Sequence, residues 1–461
     1  MSRSSGRAAA SVASELRRHQ ALFVLLAFLL TAFGLLMIYS ASSIDALTSA
    51  DTGHDPTYYL KRQMLFLGIG LVAAVILSYN DYHLWCEQLM PLGAMLVIGL
   101  LVLVLTPLAG ADAYGATRWF AVGPVHLQPS EFAKASVLLA AASIIQRFEY
   151  GIQDLREQAP RILCFIGLPL ALILIQPDKG TTFIILMTVL MLLIIAGMPL
   201  RWVFIGVGAA MSIILGLALL DSYSRARIAM MWDPWKDPFD SGYQLIQGLL
   251  AFGSGGLTGG GLGNSRQKYS YLPMAHNDFI FAVIGEEWGL VGTLGLLLAF
   301  VALVYLGFSI ARKAPDLSGR LVAAGSVITL GLQMLVNTAG VLCLMPLSGK
   351  PIPFISYGGS SIISTLVLVG LVLSVSHTTL YTLPDEREGF SVVEGSSPSG
   401  FRVIEGGSSR TPDSIRSERD FTLAHGSGRI TTNSNGTRRI NLGPSASDRL
   451  RSRDSGRGGR G

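Results

Sequence analysis

Charge is scarce in this sequence: Asp, Glu, Lys and Arg together make up 14% of its 461 residues, while 50% are hydrophobic. The apolar residues fall in long blocks and not at amphipathic spacing, which excludes an ordinary water-soluble globular protein and leaves a membrane composition. Cysteine is nearly absent too. Cys86, Cys164 and Cys343 stand singly in or beside apolar segments, so they offer neither a disulfide framework nor metal-site spacing and read as small buried hydrophobes. No internal repeat is evident, which counts against inverted-repeat transporter architectures. The glycine-rich run 253-GSGGLTGGGLGNS-265 lacks the closing Gly-Lys-Ser/Thr of a P-loop, which argues against a nucleotide cradle. No nucleic-acid partner is expected.

What is present is a series of bilayer-length apolar segments. A hydrocarbon core about 30 Å thick needs roughly 20 apolar residues per helix, and 21-ALFVLLAFLLTAFGLLMIYSAS-42 meets that length without a charge. Arg17 and Arg18 before it and small residues after it resemble a secretory signal, but its apolar core is too long and further spans follow. The others run at about 64–79, 90–108, 132–146, 162–176, 181–198, 202–220, 277–310, 321–345 and 358–380, giving roughly ten helices at one bilayer width each. The expected fold is therefore an all-α integral membrane protein. Residues 1–20 form an N-terminal segment, 21–382 the transmembrane domain, and 383–461 a tail.

Basic residues set the orientation. Arg3, Arg7, Arg17, Arg18, Arg147, Arg156, Arg161, Arg201, Arg312, Lys313 and Arg320 fall on one side of a ten-span serpentine, which makes that side, and both termini, cytoplasmic. Lys61 and Arg62 fall outside, in a loop shared with Asp45, Asp51 and Asp55. The long loop 221–276 is also outside; Pro234, Pro238 and the glycine run predict turns and close backbone approach within it. The tail is rich in Ser, Gly and Arg, lacks Lys, and has few large apolar residues, so it is expected to be disordered. Its arginines suit anionic lipid or an acidic partner, or serve solubility alone.

Ionisable groups inside a bilayer cost at least about 2.5 kcal/mol at its centre, so each calls for an explanation. Glu131 and Lys134 stand at i, i+3 on one helix face behind Pro129, either as a structural ion pair or as the lining of a polar cavity. In 275-AHNDFIFAVIGEEWGLVG-292, Asp278 lies where the outer loop meets a span. It is either a helix N-cap, kept ionised by the helix dipole, or a general base reachable from outside. Glu286 and Glu287 lie roughly 12 Å further down the helix and read as polar glue, with Gly285, Gly289 and Gly292 as a smooth packing stripe.

These residues, together with 118-RWFAVGPVHLQPSEFAK-134, 175-IQPDKGT-181, 243-YQLIQGLLAFGSGGLTGGGLG-263, 272-LPMAHNDF-279 and 346-PLSGKPIPFISYGGSS-361, resemble the SEDS family (shape, elongation, division, sporulation). The blocks follow family order over roughly residues 20–380. The resemblance implies a ten-helix bundle with a large outer loop before the eighth helix. It also implies an inverting peptidoglycan glycosyltransferase that polymerises lipid II at the outer membrane face, with a polyprenyl pyrophosphate leaving group.

The family's catalytic aspartate aligns with Asp278, its charged pair with Glu131 and Lys134, and its aromatic-basic element with Arg118 and Trp119. His276, Ser356 and Ser360, from the matching blocks, are taken as substrate-binding, and Pro351, Pro353, Gly358 and Gly359 as shaping a re-entrant loop. Cations for the leaving group are Arg118, Lys134 and Arg227, with Arg266 and Lys268 as weaker candidates; Mg²⁺ or Mn²⁺ could assist. Met274 stands where the family has glutamate, Asn277 and Ser348 where it has threonine, and Lys179 where leucine is common.

The implied partner is a class B penicillin-binding protein, alongside other division proteins. 284-IGEEWG-289 and the glycine run resemble division members more than elongation members, pointing to the septum, with an elongation role as the alternative. A lipid II flippase and a non-enzymatic scaffold are the competing functions.

Overall fold

The structure, a computed structural model, describes residues 2–106, 110–113, 116–122, 125–149, 155–269, 271–382, 429–432 and 438–441. The chain divides into two units, Met1–Glu386 and Arg387–Gly461.

The first unit is nearly all helix. Its helices are α1 (Ser2–Thr48), α2 (Tyr58–Tyr79), α3 (Met90–Val104), α4 (Pro129–Glu149), α5 (Leu155–Ile162), α6 (Leu168–Ile175), α7 (Lys179–Ile195), α8 (Leu200–Leu220), α9 (Ser222–Trp232), α10 (Tyr243–Gly255), α11 (Ile280–Ala311), α12 (Leu317–Val341) and α13 (Gly359–Thr382). A π-helical turn, Leu163–Gly167, runs α5 into α6. Among the described residues, seven helical stretches are long and apolar enough to cross a membrane, and α3 and α7 are shorter apolar helices. α4 has the length, but with Glu131, Lys134, Arg147 and Glu149 it is not among the seven.

Burial separates inner from outer helices. α12 and α13 are mostly enclosed, whereas α8 is almost entirely exposed, as suits a helix whose apolar surface faces lipid rather than protein. α11 and α12 pack on each other, α11 also lies on α1 and α10, and α13 lies along α2. The main core joins Phe279, Ile280, Phe281, Phe300, Ile352 and Phe354, so the residues flanking Asp278 are set in the centre of the bundle and not at its edge.

Three expectations change. The all-α reading misses a three-stranded antiparallel meander, β1 (Gly110–Ala113), β2 (Ala116–Val122) and β3 (Val125–Leu127), between α3 and α4. β-Branched and aromatic residues in 116-ATRWFAV-122 favour strand there. The loop 221–276, expected outside, carries the helices α9 and α10; in α10, Leu245, Ile246, Gly248 and Ala251 recur at helical spacing and are buried as it lies against α11. The glycine stripe of α11 is not continuous helix: Gly289 has φ 65° and ψ −160°, so α11 is broken in the middle.

Within the segment read as a disordered tail, most residues lie outside those described. The described parts, β4 (Arg429–Thr432) and β5 (Arg438–Asn441), pair antiparallel.

Candidate functional site

The site is built around the irregular segment between α12 and α13. Gly349, at φ 64°, turns the chain so that a Cβ placed there would lie 3.4 Å from Asp278 Oδ2 and 3.9 Å from Arg227 Nη1. A residue with a side chain would be strained in that conformation, with its Cβ in contact with both groups. Arg227, on α9, donates from Nη1 to the Leu347 carbonyl at 2.6 Å. Asn337, on α12, uses one amide nitrogen to reach the carbonyls of Asp278 at 2.9 Å and Lys350 at 2.7 Å. Four separate parts of the chain thus meet at Asp278.

Asp278 is not a helix cap: Phe279 holds that position in α11, and no side chain caps the helix there. The aspartate is half-buried, and among the described residues nothing hydrogen-bonds its carboxylate oxygens. Burial pushes its pKa above the ordinary carboxylate value, against the opposing fields of Arg227 and Lys350. A raised pKa makes a better proton acceptor. Nearby, Asn337 Oδ1 and Ser348 Oγ are buried without a hydrogen-bond partner among the described residues, the condition of polar atoms whose partner is a ligand or water.

A second polar layer lies beside this centre. Lys134 Nζ sits 2.7 Å from Glu131 Oε2 with both side chains buried, and it also donates to Gln333 Oε1. Gln333 in turn donates to the Pro351 carbonyl at 2.7 Å, so the pair is tied to the same irregular segment. Glu131 Oε1 is buried and has no partner. Asp178 and Lys350 form another buried pair, 2.7 Å apart, which the sequence reading passed over. Its signals were there: an Asp three residues before a Thr at a helix start, and a lone lysine in a Pro-rich apolar stretch. Asn337 carried no comparable signal.

Other named residues are placed elsewhere. His276 is buried against Tyr59 and Tyr357, with ring centroids 4.3 and 5.5 Å away, and burial pulls its pKa down to about 4. It is therefore neutral and packed. Ser356 Oγ accepts from the Ile352 amide at 2.8 Å, closing a turn, and Ser360 Oγ accepts from the Gln128 amide at 2.8 Å, joining α13 to the start of α4. Trp119, half-buried on β2, pairs with Ala111; Arg118 adjoins it, and its side chain lies outside the described residues.

Lys268 is no solvated loop charge. It is buried, donates to the Gly263 carbonyl at 2.6 Å and lies 3.5 Å from Glu287 Oε1. Arg266 uses its backbone amide on Glu286 Oε1 at 2.8 Å. Both belong to a brace that anchors the glycine run into the break of α11. There Gly260 and Gly261 amides donate to the Glu286 and Glu287 carbonyls, and Leu290 and Val291 amides to Gly256 and Leu257. Ser265 and Ser40 hydroxyls complete the brace, at 2.5 Å from Glu286 Oε2 and 2.7 Å from Glu287 Oε1. The glutamates are polar glue as expected, but they hold a re-entrant loop as well as a helix. Backbone groups freed at the break find partners within the protein, the condition for irregular backbone at membrane depth.

Among the described residues no group of three or more His, Cys, Asp or Glu side chains stands together. These residues do not form a protein cage for Mg²⁺ or Mn²⁺.

Comparison with known proteins converges on one family. The family described as "Cell cycle protein", FtsW/RodA/SpoVE, matches residues 20–381. A probable peptidoglycan glycosyltransferase FtsW of Geobacter metallireducens is 38% identical over 364 residues, covering 78% of this chain and 96% of that protein. Stage V sporulation protein E of Bacillus subtilis is 38% identical over 361 residues, covering 78% and 97%. Among solved structures, a chain of a peptidoglycan synthase complex that coordinates polymerization and crosslinking matches with TM-score 0.60 and 31% identity, covering 77% and 97%. Rod shape determining protein RodA of Thermus thermophilus matches with TM-score 0.54 and 31% identity, covering 77% and 95%.

Proposed function

The chain belongs to the FtsW/RodA/SpoVE family, and we propose that, as a member, it is a peptidoglycan glycosyltransferase polymerising lipid II, with Asp278 as general base. The observation that carries this reading is the meeting of Asp278 and Arg227 around Gly349. It sets a carboxylate that accepts no hydrogen bond among the described residues beside a fixed cation.

The sugar 4-hydroxyl of one lipid-linked disaccharide gives its proton to Asp278 as its oxygen attacks the anomeric carbon of another. The bond from that carbon to the pyrophosphate oxygen breaks on the opposite face, so configuration inverts and polyprenyl pyrophosphate leaves. A positioned base contributes typically 10²–10⁴-fold. Arg227 is held by the Leu347 carbonyl and faces the charge that develops on the leaving group, where fixed cations act most strongly. Lys134 and Arg118 are further cations for the same charge. An apolar groove of about 300 Å³ between α1 and α11, lined by Leu29, Leu30, Phe33, Trp288, Gly292 and Leu296 among others, supports a substrate with an isoprenoid tail.

The finer placement has its own support. Arg312 and Lys313 stand between α11 and α12, and Arg320 at the start of α12, at the end of the bundle away from Asp278, where Lys313 reaches Glu15 at 3.1 Å; this favours cytoplasmic termini and an outward-facing Asp278. Ten spans follow if α3, α4 and α7 cross along with the seven longer stretches. The likeness to a complex that couples polymerization to crosslinking supports a transpeptidase partner, a class B penicillin-binding protein. The FtsW relatives support action at the septum with other division proteins.

The test is Asp278→Asn in the full chain, reconstituted in liposomes with externally supplied lipid II. Glycan polymer is expected to fall at least 100-fold while the protein stays monodisperse. Polymer at the unmodified rate would leave flipping or scaffolding as the better account.

A further inference from the structure

The Asp178–Lys350 pair has no part in the chemistry above, yet it is among the most enclosed charge pairs of the molecule: both side chains are at most 2% exposed. Asp178 caps α7 by accepting from the Thr181 amide at 3.1 Å. Its carboxylate also accepts from Gln128 Nε2 at 3.1 Å, Ser130 Oγ at 2.8 Å and Thr181 Oγ1 at 2.9 Å. It is therefore fixed by the starts of both α4 and α7. Lys350 follows Gly349 directly, and its carbonyl shares Asn337 with the carbonyl of Asp278. The turn has little room to move on its other side, because a Cβ on Gly180 would lie 3.0 Å from Ser348 Cβ and 3.2 Å from Lys350 Cγ.

A helix cap needs no lysine, and removing a lysine from water is costly unless it is well paired. The cost is explained if the lysine holds the turn that separates Asp278 from Arg227. A charge so placed also acts on Asp278 directly and favours its charged form, and the partner of opposite sign reduces that action without removing it.

We propose that Asp178 and Lys350 are a positioning pair for the reaction: their bridge fixes the 347–350 turn between Asp278 and Arg227 and holds the Lys350 charge in place beside the aspartate. This rests on the reading of Asp278 as the base. Among the described residues, the charged groups that bear on Asp278 are few. Arg227 faces Asp278 from α9, and Lys350 faces it from the turn. Lys134 of α4, itself paired to Glu131, lies within the field of both Lys350 and Asp178. α12 contributes the uncharged Asn337, and at the start of α7 Lys179 is engaged with Asp221 at 2.9 Å.

The experiment measures lipid II polymerisation against pH for the reconstituted full chain and for D178N, K350M, the double variant D178N/K350M, and D278N. D178N leaves the lysine uncancelled, favours the charged form of Asp278, and is expected to move the acid limb of the rate profile to lower pH. K350M leaves the buried carboxylate uncancelled and is expected to move that limb to higher pH. Each single variant should also lose at least tenfold in kcat with a smaller change in KM. The double variant, with neither charge, should place the limb between those of the wild type and K350M, because Lys350 is the nearer of the two to Asp278. Limbs that stay put, move together, or fall outside that order overturn the proposal.

If a single variant does not elute as a monodisperse species, D178E and K350R take its place. They keep both charges but move the bridge, so kcat should fall with the limb unmoved, and a displaced limb overturns the proposal. D278N separates the two levels: polymer at the wild-type rate removes the base reading and this proposal with it. Inactive D278N with unmoved limbs removes the positioning pair alone.

Discussion

At the scale of single residues, the behaviour of Asp278 follows from a balance of burial against two cations. Burial raises its pKa from the ordinary 3.8, and Arg227 and Lys350 work against that rise. As the proposed base, Asp278 must be deprotonated, so activity is expected above the folded-state pKa and is lost as pH falls through it. The acid limb of the rate profile is therefore expected above the ordinary carboxylate range. Arg227→Gln removes one opposing field, so its limb should lie at still higher pH than that of the unmodified protein; a limb moving downward would contradict the balance described. His276 illustrates the opposite outcome of burial. Two positions before Asp278 in the chain, it is packed between two tyrosines, and burial pulls its pKa down to about 4.

At the scale of elements, the break in α11 and the glycine run that fills it form one structural unit. A Cβ on Gly289 would lie 2.4 Å from the Gly259 amide nitrogen, and one on Gly259 would lie 2.2 Å from the Glu287 carbonyl oxygen. Both glycines also have positive φ. Gly289→Ala thus combines an unfavourable backbone conformation with a backbone clash, and it is expected to destabilise the protein by about 1–3 kcal/mol. Thermal unfolding in detergent, read as a lowered Tm, checks this; an unchanged Tm would mean that the loop does not need the break. Periodicity in the sequence could show that 280–311 was apolar and helical in composition. It could not show the break, because a glycine in a membrane helix reads equally as a packing contact and as a left-handed turn until a second backbone arrives beside it.

At the scale of the whole molecule, the ends of the bundle are tied separately. Away from Asp278, His83 bridges Asp81 at 2.8 Å and Asp316 at 3.0 Å, and Tyr82 donates to Asp316 at 2.6 Å. Burial pulls the His83 pKa down, but hydrogen bonds to the two carboxylates outweigh it and hold it above 6.5. Its contribution to stability is fully present below 6.5 and is lost as pH rises through the folded value. For Asp316, burial pushes the pKa up, but the hydrogen bonds from Tyr82, Gly319, Ser318 and His83 outweigh it and hold it below 3.8. Its contribution is present above 3.8 and is lost as pH falls through the lower folded value. This clamp is expected to be strongest between those limits, so His83→Gln should lower Tm more at pH 5.5 than at pH 8.5. An equal loss at both would exclude an ionic role. For the opposite face, a fluorescent fusion to the full chain should gather at the division septum; an even side-wall signal would favour elongation.

How much was legible in advance differs between these scales. The membrane class, most of the helical segments, the family blocks and the candidate aspartate could all be read from the chain, because bilayer-length apolar runs and short motifs are local properties. The Gly289 break, the loop brace on Glu286 and Glu287, and the Asp178–Lys350 pair were decided only by tertiary structure. Their partners lie far apart along the chain: Asp178 and Lys350 are separated by 172 positions and Ser40 and Glu287 by 247. A buried charge announces in sequence only that it must be compensated; which group compensates it is fixed when the helices pack and exclude water.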